Sequence, residues 1–242
     1  STILKKLSFT WNYHDYKVCG MGPPSSGGVA VGQIMGLLSH FPLADHAPNS
    51  PEALHLIAEA GRLAFADRAA YLGDADVVPV PTQGLVDPAY LAERAKLIDP
   101  KNANDGIVDP GVPPGAKEAF LGPDDPEKGL STAHMSIADR DGNVVSFTTT
   151  VESAFGSRLM AKGFILNNQL TDFSFRPTWR GKPAPNRPAP GKRPRSSMSP
   201  TIVLDPAGKF VLATGSPGGS RIIGYTVRSA LGVLTWGLDM QS

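Results

Sequence analysis

The spacing of apolar residues predicts helices in the first half of the chain. Residues 27–41 combine small and apolar side chains and favour a helix after a loop at 22–26. A second helix opens at Ser50-Pro51-Glu52, because serine is a favoured N-cap and proline suits the first helical position. Its apolar residues keep helical spacing as far as Leu72, and Gly73 is placed to close it. Residues 88–98 predict a third, shorter helix.

Alternation of apolar and polar residues predicts strands, mostly in the second half. Residues 16–21 favour a strand, and residues 133–150 and 199–215 favour two antiparallel hairpins. Their turns are predicted at 139–143 (DRDGN) and 205–208 (DPAG). A last helix is predicted from about Ser220 to Leu234. Residues 100–131 hold many Pro, Gly, Asp and Lys and predict a mobile linker. This order of helices and hairpins indicates an α+β fold in layers.

The composition is that of a globular protein, and it argues against several classes of function. Hydrophobic residues make up 41% and charged residues 19%, and the net charge of +1 gives no bias towards nucleic acid. No apolar run reaches the roughly 18 residues of a membrane span. The single Cys19 excludes an internal disulfide and a cysteine-cluster metal site, and the histidines lack metal-ligand spacing. We therefore expect neither a metal nor a cofactor.

Thr132 lies where the linker meets the first hairpin. A cut before it would expose an N-terminal threonine, whose hydroxyl attacks while its α-amine, with a pKa near ~8, takes the proton. A hairpin centred near Asp141 sets Thr132 opposite Thr150, give or take one residue, so Thr150 could orient that hydroxyl. Alternatively, both are ordinary β-favouring threonines without chemistry.

Several polar or glycine-rich positions are candidates for a binding site. Gly218-Gly219 stand between a strand and a helix, where free N–H groups suit a developing oxyanion, although on their own they fit a tight strand-to-helix turn better. Ser196-Ser197 follow a cluster of basic residues. The alternative interpretation of this segment is a solvated basic loop without a binding role. Asp172 could pair with an ammonium and Gln169 offers an amide, but both also fit an ordinary polar loop.

Five motifs occur in an order and spacing that resemble the γ-glutamyltranspeptidase family. They are Pro23–Gly28 (PPSSGG), Leu166–Gln169 (LNNQ), Asp172–Ser174 (DFS), Lys192–Thr201 (KRPRSSMSPT) and Gly215–Arg221 (GSPGGSR). The resemblance covers essentially the whole chain, which corresponds to about the middle half of a typical member. It implies a four-layer αββα N-terminal-nucleophile hydrolase fold, present in part. Residues 1–131 would be the C-terminal part of the large-subunit region and 132–242 the N-terminal part of the small-subunit region, together one structural domain.

The resemblance also implies a role for each candidate residue. Thr132 would be the nucleophile, assisted by Thr150, and the Gly218 and Gly219 amides would form the oxyanion hole. The substrate-binding residues would be Glu152, Gln169 and Asp172 around the α-amino group, and Ser196 and Ser197 around the α-carboxylate. Glu152 stands where the family often has Asn, and its charge still suits an ammonium. The family's carboxylate-clamping arginine has no counterpart within these residues.

The function implied is γ-glutamyl transfer or hydrolysis on glutathione and related compounds, after autocleavage before Thr132. The partners would be a small γ-glutamyl donor and an amino acid, peptide or water acceptor, with the two subunit pieces associating after cleavage. No nucleic acid partner is expected, and the resemblance implies a periplasmic or secreted location. The alternatives are a cephalosporin or glutaryl acylase of the same fold, and an inactive fragment that only folds or binds.

Overall fold

The computed structural model describes residues 8–116, 132–179 and 181–240. The helices are α1 (Gly27–Leu38), α2 (Pro51–Tyr71), α3 (Pro88–Ala95) and α4 (Ile222–Leu234). The longer strands are β1 (Ser8–Tyr13), β2 (Tyr16–Met21), β3 (Thr132–Ala138), β4 (Val144–Thr150), β9 (Thr201–Leu204) and β10 (Phe210–Thr214). Two-residue strands are β5 (Met160–Ala161), β6 (Phe164–Ile165), β7 (Thr178–Trp179) and β8 (Lys182–Pro183). Short 3-10 helices span Leu43–Asp45, Gly84–Val86, Gln169–Asp172 and Gly219–Arg221.

A four-stranded antiparallel sheet joins the two ends of the described chain. Its strand order is β1-β2-β9-β10, and Val18 of β2 pairs with Val203 of β9. The sequence analysis predicted β2 and the β9–β10 hairpin, and both are confirmed. It missed β1, although Phe9, Trp11 and Tyr13 alternate with polar residues and are buried in the core.

Helix α1 lies at the centre of the hydrophobic core. It contacts β1, β2 and each of the other three α-helices, so nearly all of its residues are buried. Small residues allow these close contacts: an added Cβ at Gly28 would lie 2.4 Å from the backbone oxygen of Met21. The helices therefore form a layer against the four-stranded sheet, as an α+β fold requires.

Helix α2 begins as its sequence predicts but ends differently. The Ser50 hydroxyl accepts a hydrogen bond from the Ala53 N–H at 3.2 Å, and Pro51 occupies the first turn. The helix ends at Tyr71 and Leu72 is extended, so the prediction that Gly73 closes the helix is wrong. Gly73 instead allows a close approach, since a Cβ there would lie 2.5 Å from the carbonyl oxygen of Pro185.

The predicted linker at 100–131 is bound to α2 over part of its length. Arg62 donates to the carbonyl oxygens of Asn104 and Gly106, and the Tyr71 hydroxyl donates to the carbonyl of Gly111 at 2.5 Å. Local composition did not predict these tertiary hydrogen bonds within residues 104–111, and the mobility of the linker stays a prediction. Residues 117–131 lie outside the described residues.

The carboxylate of Asp67 is a buried junction between helices and this bound segment. It accepts hydrogen bonds from Gln33 on α1 at 2.9 Å, Tyr90 on α3 at 2.6 Å and the Gly111 N–H at 2.8 Å. Gln33 and Tyr90 donate to Oδ2, whereas the Gly111 N–H donates to Oδ1, and Arg94 on α3 lies 3.3 Å from the same Oδ1. A buried charge is tolerated when it is paired and hydrogen-bonded in this way.

We predict that Asp67→Asn lowers the free energy of unfolding by about 3–5 kcal/mol, because it leaves the buried Arg94 guanidinium without its opposite charge. Urea denaturation at neutral pH measures the difference. Asp105→Asn is the matched control, since Asp105 is exposed, and it should change stability by less than about 0.5 kcal/mol. Equal stability of the two variants would contradict the assignment of Asp67 as a structural junction.

The β3–β4 hairpin packs against the edge strand β10 through side chains. The Ser146 hydroxyl donates to the carbonyl of Thr214 at 3.0 Å and accepts from the Thr201 N–H at 3.1 Å. A Cβ at Gly215 would lie 2.4 Å from the His134 ring, so glycine is needed for this approach. The other face of the hairpin carries Met135 and Phe147, which are 47% and 48% exposed.

The described part of the chain contains no helix that combines the length and apolar character needed to cross a membrane.

Candidate active site

Thr132 and Thr150 face each other at one end of the hairpin. Thr132 is the first residue of β3, Thr150 is the last of β4, and the two are directly paired. The predicted register is therefore confirmed, and such cross-strand partners have Cβ atoms about 5 Å apart. The Thr150 hydroxyl also accepts a hydrogen bond from the Glu152 N–H at 2.8 Å, which orders the turn after β4. The roles of both threonines in catalysis remain predictions, and Ser131 lies outside the described residues.

The buried carboxylate of Glu152 follows this pair in a strained turn. Glu152 has φ 73°, in the left-handed region that non-glycine residues rarely adopt. Its Oε2 atom accepts from the Ser153 hydroxyl at 2.7 Å and from the Asn168 amide. Its Oε1 atom is buried and has no hydrogen-bond partner among the described residues. Because an unpaired buried carboxylate oxygen is costly, this atom marks a place where a donor or a cation would fit.

Asp172 belongs to the same polar cluster. The Gln169–Asp172 3-10 helix places the Gln169 amide nitrogen on the Asp172 carboxylate, while the preceding Asn168 holds Glu152. Neighbouring amides thus hold both predicted carboxylates, and the structure brings Glu152, Gln169 and Asp172 together. Gln169 orients Asp172 directly, a contact that the sequence did not predict. The sequence analysis also missed the hydrogen bond from Asn168 to Glu152, although Asn168 lies inside the LNNQ motif.

Ser196 and Ser197 are held by a loop from the other half of the chain. The Ser26 N–H and hydroxyl donate to the Ser196 carbonyl at 2.8 and 2.7 Å, and the Ser196 N–H donates to the Pro24 carbonyl at 3.2 Å. A Cβ at Gly27 would lie 2.3 Å from the Met198 carbonyl oxygen. The PPSSGG motif therefore acts as a backbone support for the serine pair.

Arg68 places a buried positive charge beside the serine pair. From helix α2, its guanidinium donates to the Ser197 hydroxyl at 2.7 Å and to the Ser26 hydroxyl at 2.8 Å. The sequence analysis missed this residue. The available signal was a charged residue one helical turn from the buried Ala64, on the apolar face of α2. A guanidinium at this point favours a negatively charged ligand.

A second arginine fixes the chain just before the serines. The Arg193 side chain and N–H donate to Asp74 at 2.7, 3.0 and 2.8 Å, and its guanidinium also reaches Asp76 at 2.7 Å. Burial alone would raise the pKa of the Asp74 carboxyl, but these hydrogen bonds outweigh burial and lower the pKa below its usual value. Ionised Asp74 therefore anchors the segment that leads to Ser196.

We predict that Asp74→Asn lowers the free energy of unfolding at pH 7 by about 1–3 kcal/mol, since it weakens charge-assisted hydrogen bonds. A lowered carboxyl pKa contributes stability that is present above about pH 4 and lost as the pH falls through the folded pKa. The difference in the free energy of unfolding between wild type and variant should therefore disappear between about pH 4 and pH 2, as measured by urea titration. Asp76→Asn, which removes the exposed partner of the same arginine, should have a smaller effect. A gap that stays constant in acid would argue against this anchor.

Gly218 and Gly219 form the connection from β10 to α4 that the sequence predicts. Their φ angles are 135° and 59°, which favour glycine, and a 3-10 helix starts at Gly219. A Cβ at Gly218 would also lie 2.9 Å from the Tyr225 ring. The connection leaves β10 at Gly215, beside His134 and hence two residues from Thr132 along β3. This position agrees with an oxyanion hole, which remains a prediction.

His134 is a structural residue of the hairpin, as its position suggests. Its Nδ1 atom lies 2.8 Å from the Thr148 hydroxyl and its Nε2 atom 2.9 Å from the Ser136 hydroxyl. Burial lowers the pKa of the imidazole below its usual value, so the neutral form is favoured. With both ring nitrogens in hydrogen bonds, His134 packs the hairpin against Gly215.

Comparison with solved structures defines the class of fold. The chain superposes on the structure of LmbA2991HD with a TM-score of 0.71 at 30% identity, over 93% of this chain and 38% of that one. It superposes on a cephalosporin acylase from Bacillus halodurans with a TM-score of 0.74 at 21% identity, over 96% and 38% respectively. The structure therefore has the α+β fold of the N-terminal-nucleophile hydrolases, in part, and the predicted fold class is confirmed.

The sequence itself identifies the family. The family model described as Gamma-glutamyltranspeptidase matches residues 3–242, so the chain belongs to the γ-glutamyltranspeptidase family. It is 40% identical over 240 residues to a glutathione hydrolase proenzyme from Pseudomonas sp. (strain A14), covering 95% of this chain and 39% of that protein. It is 33% identical over 235 residues to an Acylase ACY 1 proenzyme from Pseudomonas sp. (strain SE83), covering 95% and 38%. The chain thus spans about two fifths of the length of these curated relatives.

Proposed function

We propose that this protein is the core of a γ-glutamyltransferase or glutathione hydrolase that uses Thr132 as an N-terminal nucleophile. The observation that carries the proposal is the direct pairing of Thr132, the first residue of β3, with Thr150, in a member of this family. The glutathione hydrolase proenzymes among its relatives support the same reaction. No metal or cofactor is required, because hydroxyl, amine and backbone amides supply the chemistry.

The reaction follows from the roles proposed for these groups. The Thr132 hydroxyl attacks the γ-amide carbonyl while the Thr132 α-amine accepts its proton. The Gly218 and Gly219 amides stabilise the tetrahedral oxyanion, which collapses to a γ-glutamyl ester as the proton passes to the leaving amine. Water or the amine of an amino acid or peptide then attacks the ester and restores the Thr132 hydroxyl.

Substrate recognition is supported by two polar clusters, one of which contains Glu152, two residues after Thr150. Glu152, with its unpaired buried oxygen, and Asp172 offer negative charge to the α-ammonium group of a γ-glutamyl donor. Ser196 and Ser197 offer hydroxyls to its α-carboxylate, next to the Arg68 guanidinium. The two clusters therefore match a ligand that carries both charges on one carbon.

Maturation would cut the chain before Thr132 and divide it at the proposed boundary. Residues 1–131 and 132–242 would then belong to two associated subunits within one structural domain, held together by the β2–β9 pairing and the Ser26–Ser196 hydrogen bonds. A periplasmic or secreted location is part of this proposal and follows from the family alone.

A glutaryl or cephalosporin acylase is the second candidate, favoured by the Acylase ACY 1 proenzyme among the relatives. A glutaryl group lacks the α-ammonium, so the pair Glu152 and Asp172 would have no cation to bind. For that reason we place γ-glutamyl donors first.

We predict that Thr132→Ala in the natural full-length enzyme leaves one uncut chain, because the attacking hydroxyl is gone. Intact mass under denaturing conditions should show one species, whereas wild type should show two that divide at Thr132. Thr149→Ala is the matched control, since Thr149 is exposed on the neighbouring position of β4, and should be cut normally. A Thr132→Ala chain that still splits at this bond would exclude self-cleavage by this hydroxyl.

We predict that Asp172→Ala weakens binding of a γ-glutamyl donor by about 2–5 kcal/mol, because a charge partner of the ammonium is lost. Steady-state kinetics should show a strongly raised KM, and cleavage before Thr132 should remain intact. Asp141→Ala, in the exposed hairpin turn, is the control. An unchanged KM would refute the assignment, and wild-type use of a glutaryl donor equal to that of the γ-glutamyl donor would favour the acylase.

A further inference from the structure

A buried amide, Asn186, connects the two halves of the proposed substrate site. Its Nδ2 donates to the Asp172 carbonyl at 2.7 Å, and its Oδ1 accepts from the Arg195 N–H at 2.8 Å. Its own carbonyl accepts from the Ser174 N–H at 3.0 Å. Asn186 is 3% exposed, and both hydrogen bonds described for its side chain are to backbone groups of neighbouring segments.

The backbone on both sides of Asn186 is also fixed. The buried ammonium of Lys192 donates to the carbonyls of Pro185 and Arg187, at 2.9 Å for Arg187. Gly73, after helix α2, approaches Pro185 so closely that a Cβ would lie 2.5 Å from its carbonyl oxygen. Asn186 is thus held between two bound carbonyls and cannot shift without breaking several contacts.

We propose that Asn186 is a positioning residue that sets the spacing between the ammonium-binding Asp172 and the carboxylate-binding Ser196 and Ser197. This inference rests on the proposed function. One amide side chain holds the backbone at Asp172 with its nitrogen and the backbone one residue before Ser196 with its oxygen. In an amino acid both charges are attached to one carbon, so their separation is fixed. A site that binds both must hold its two halves within a few tenths of an ångström.

The proposal predicts a loss that depends on the donor. In the natural full-length enzyme, Asn186→Ala should reduce kcat/KM for a γ-glutamyl anilide by about ten- to hundredfold, mainly through KM. A glutaryl anilide lacks the α-amine and a 4-aminobutyryl anilide lacks the α-carboxylate. Each uses only one half of the site, so kcat/KM for each should stay within about twofold of the wild-type value.

Two further variants complete the test. Asn186→Asp keeps the oxygen that accepts from Arg195 but removes the donor to the Asp172 carbonyl. This variant should also lose activity on the γ-glutamyl anilide alone. If the alanine variant does not fold, the aspartate variant tests the proposal in its place. Asn102→Ala is the control, because Asn102 is exposed and bonds only to Asp99 among the contacts described for its side chain. It should leave kcat/KM unchanged for all three donors.

The failures of the two proposals are distinguishable. Equal losses for all three donors would overturn the positioning role of Asn186, because that pattern indicates general disruption of the fold. A wild-type enzyme that does not prefer the γ-glutamyl donor over both single-charge donors would overturn the proposed function, and the spacing role with it. A selective loss for the γ-glutamyl donor supports both.

Discussion

The attachment of the Ser196 segment to the loop at Pro23–Gly28 is the constraint on which the site depends. Ser26 donates twice to the Ser196 carbonyl, and Ser196 donates in return to Pro24. The contact brings together residues far apart in sequence and from opposite sides of Thr132. The same two parts of the chain also share the sheet, through β2 and β9. A cut before Thr132 would therefore leave the serine pair in place, because hydrogen bonds rather than chain continuity hold it.

Local sequence patterns predicted the helices, strands and turns better than the tertiary contacts between them. The DRDGN turn fixed the register of β3 and β4 because a hairpin needs only neighbouring residues to align it. The Ser50 cap was predictable for the same reason. The role of Gly73 was not, since its contact is with Pro185, far along the chain. Tertiary approach, rather than helix capping, explains that glycine.

The residues of the candidate site also fall into those predicted from local sequence and those that were not. Thr132 and Thr150 followed from hairpin geometry, whereas Glu152, Gln169, Asp172 and the serine pair depended on resemblance to a family. The structure adds Arg68, Asn168 and Asn186 to these residues. Arg68 bonds to Ser197 in the other half of the chain, and Asn168 and Asn186 bond to neighbouring loops, contacts that a single sequence does not encode in any spacing. Their common signal is a polar side chain at a buried or half-buried position.

The strained turn and buried carboxylate of Glu152 have an energetic consequence for the stability of the protein. Its φ of 73° and its unpaired Oε1 both cost free energy that the surrounding fold must supply. A cationic group bound there would relieve the second cost, so occupancy and folding would be thermodynamically linked. A substitution that removes the charge but keeps the size of this side chain would then stabilise the protein and, under the proposed function, weaken binding of the α-ammonium group. Selection for thermal stability and selection for affinity would therefore favour different residues at position 152.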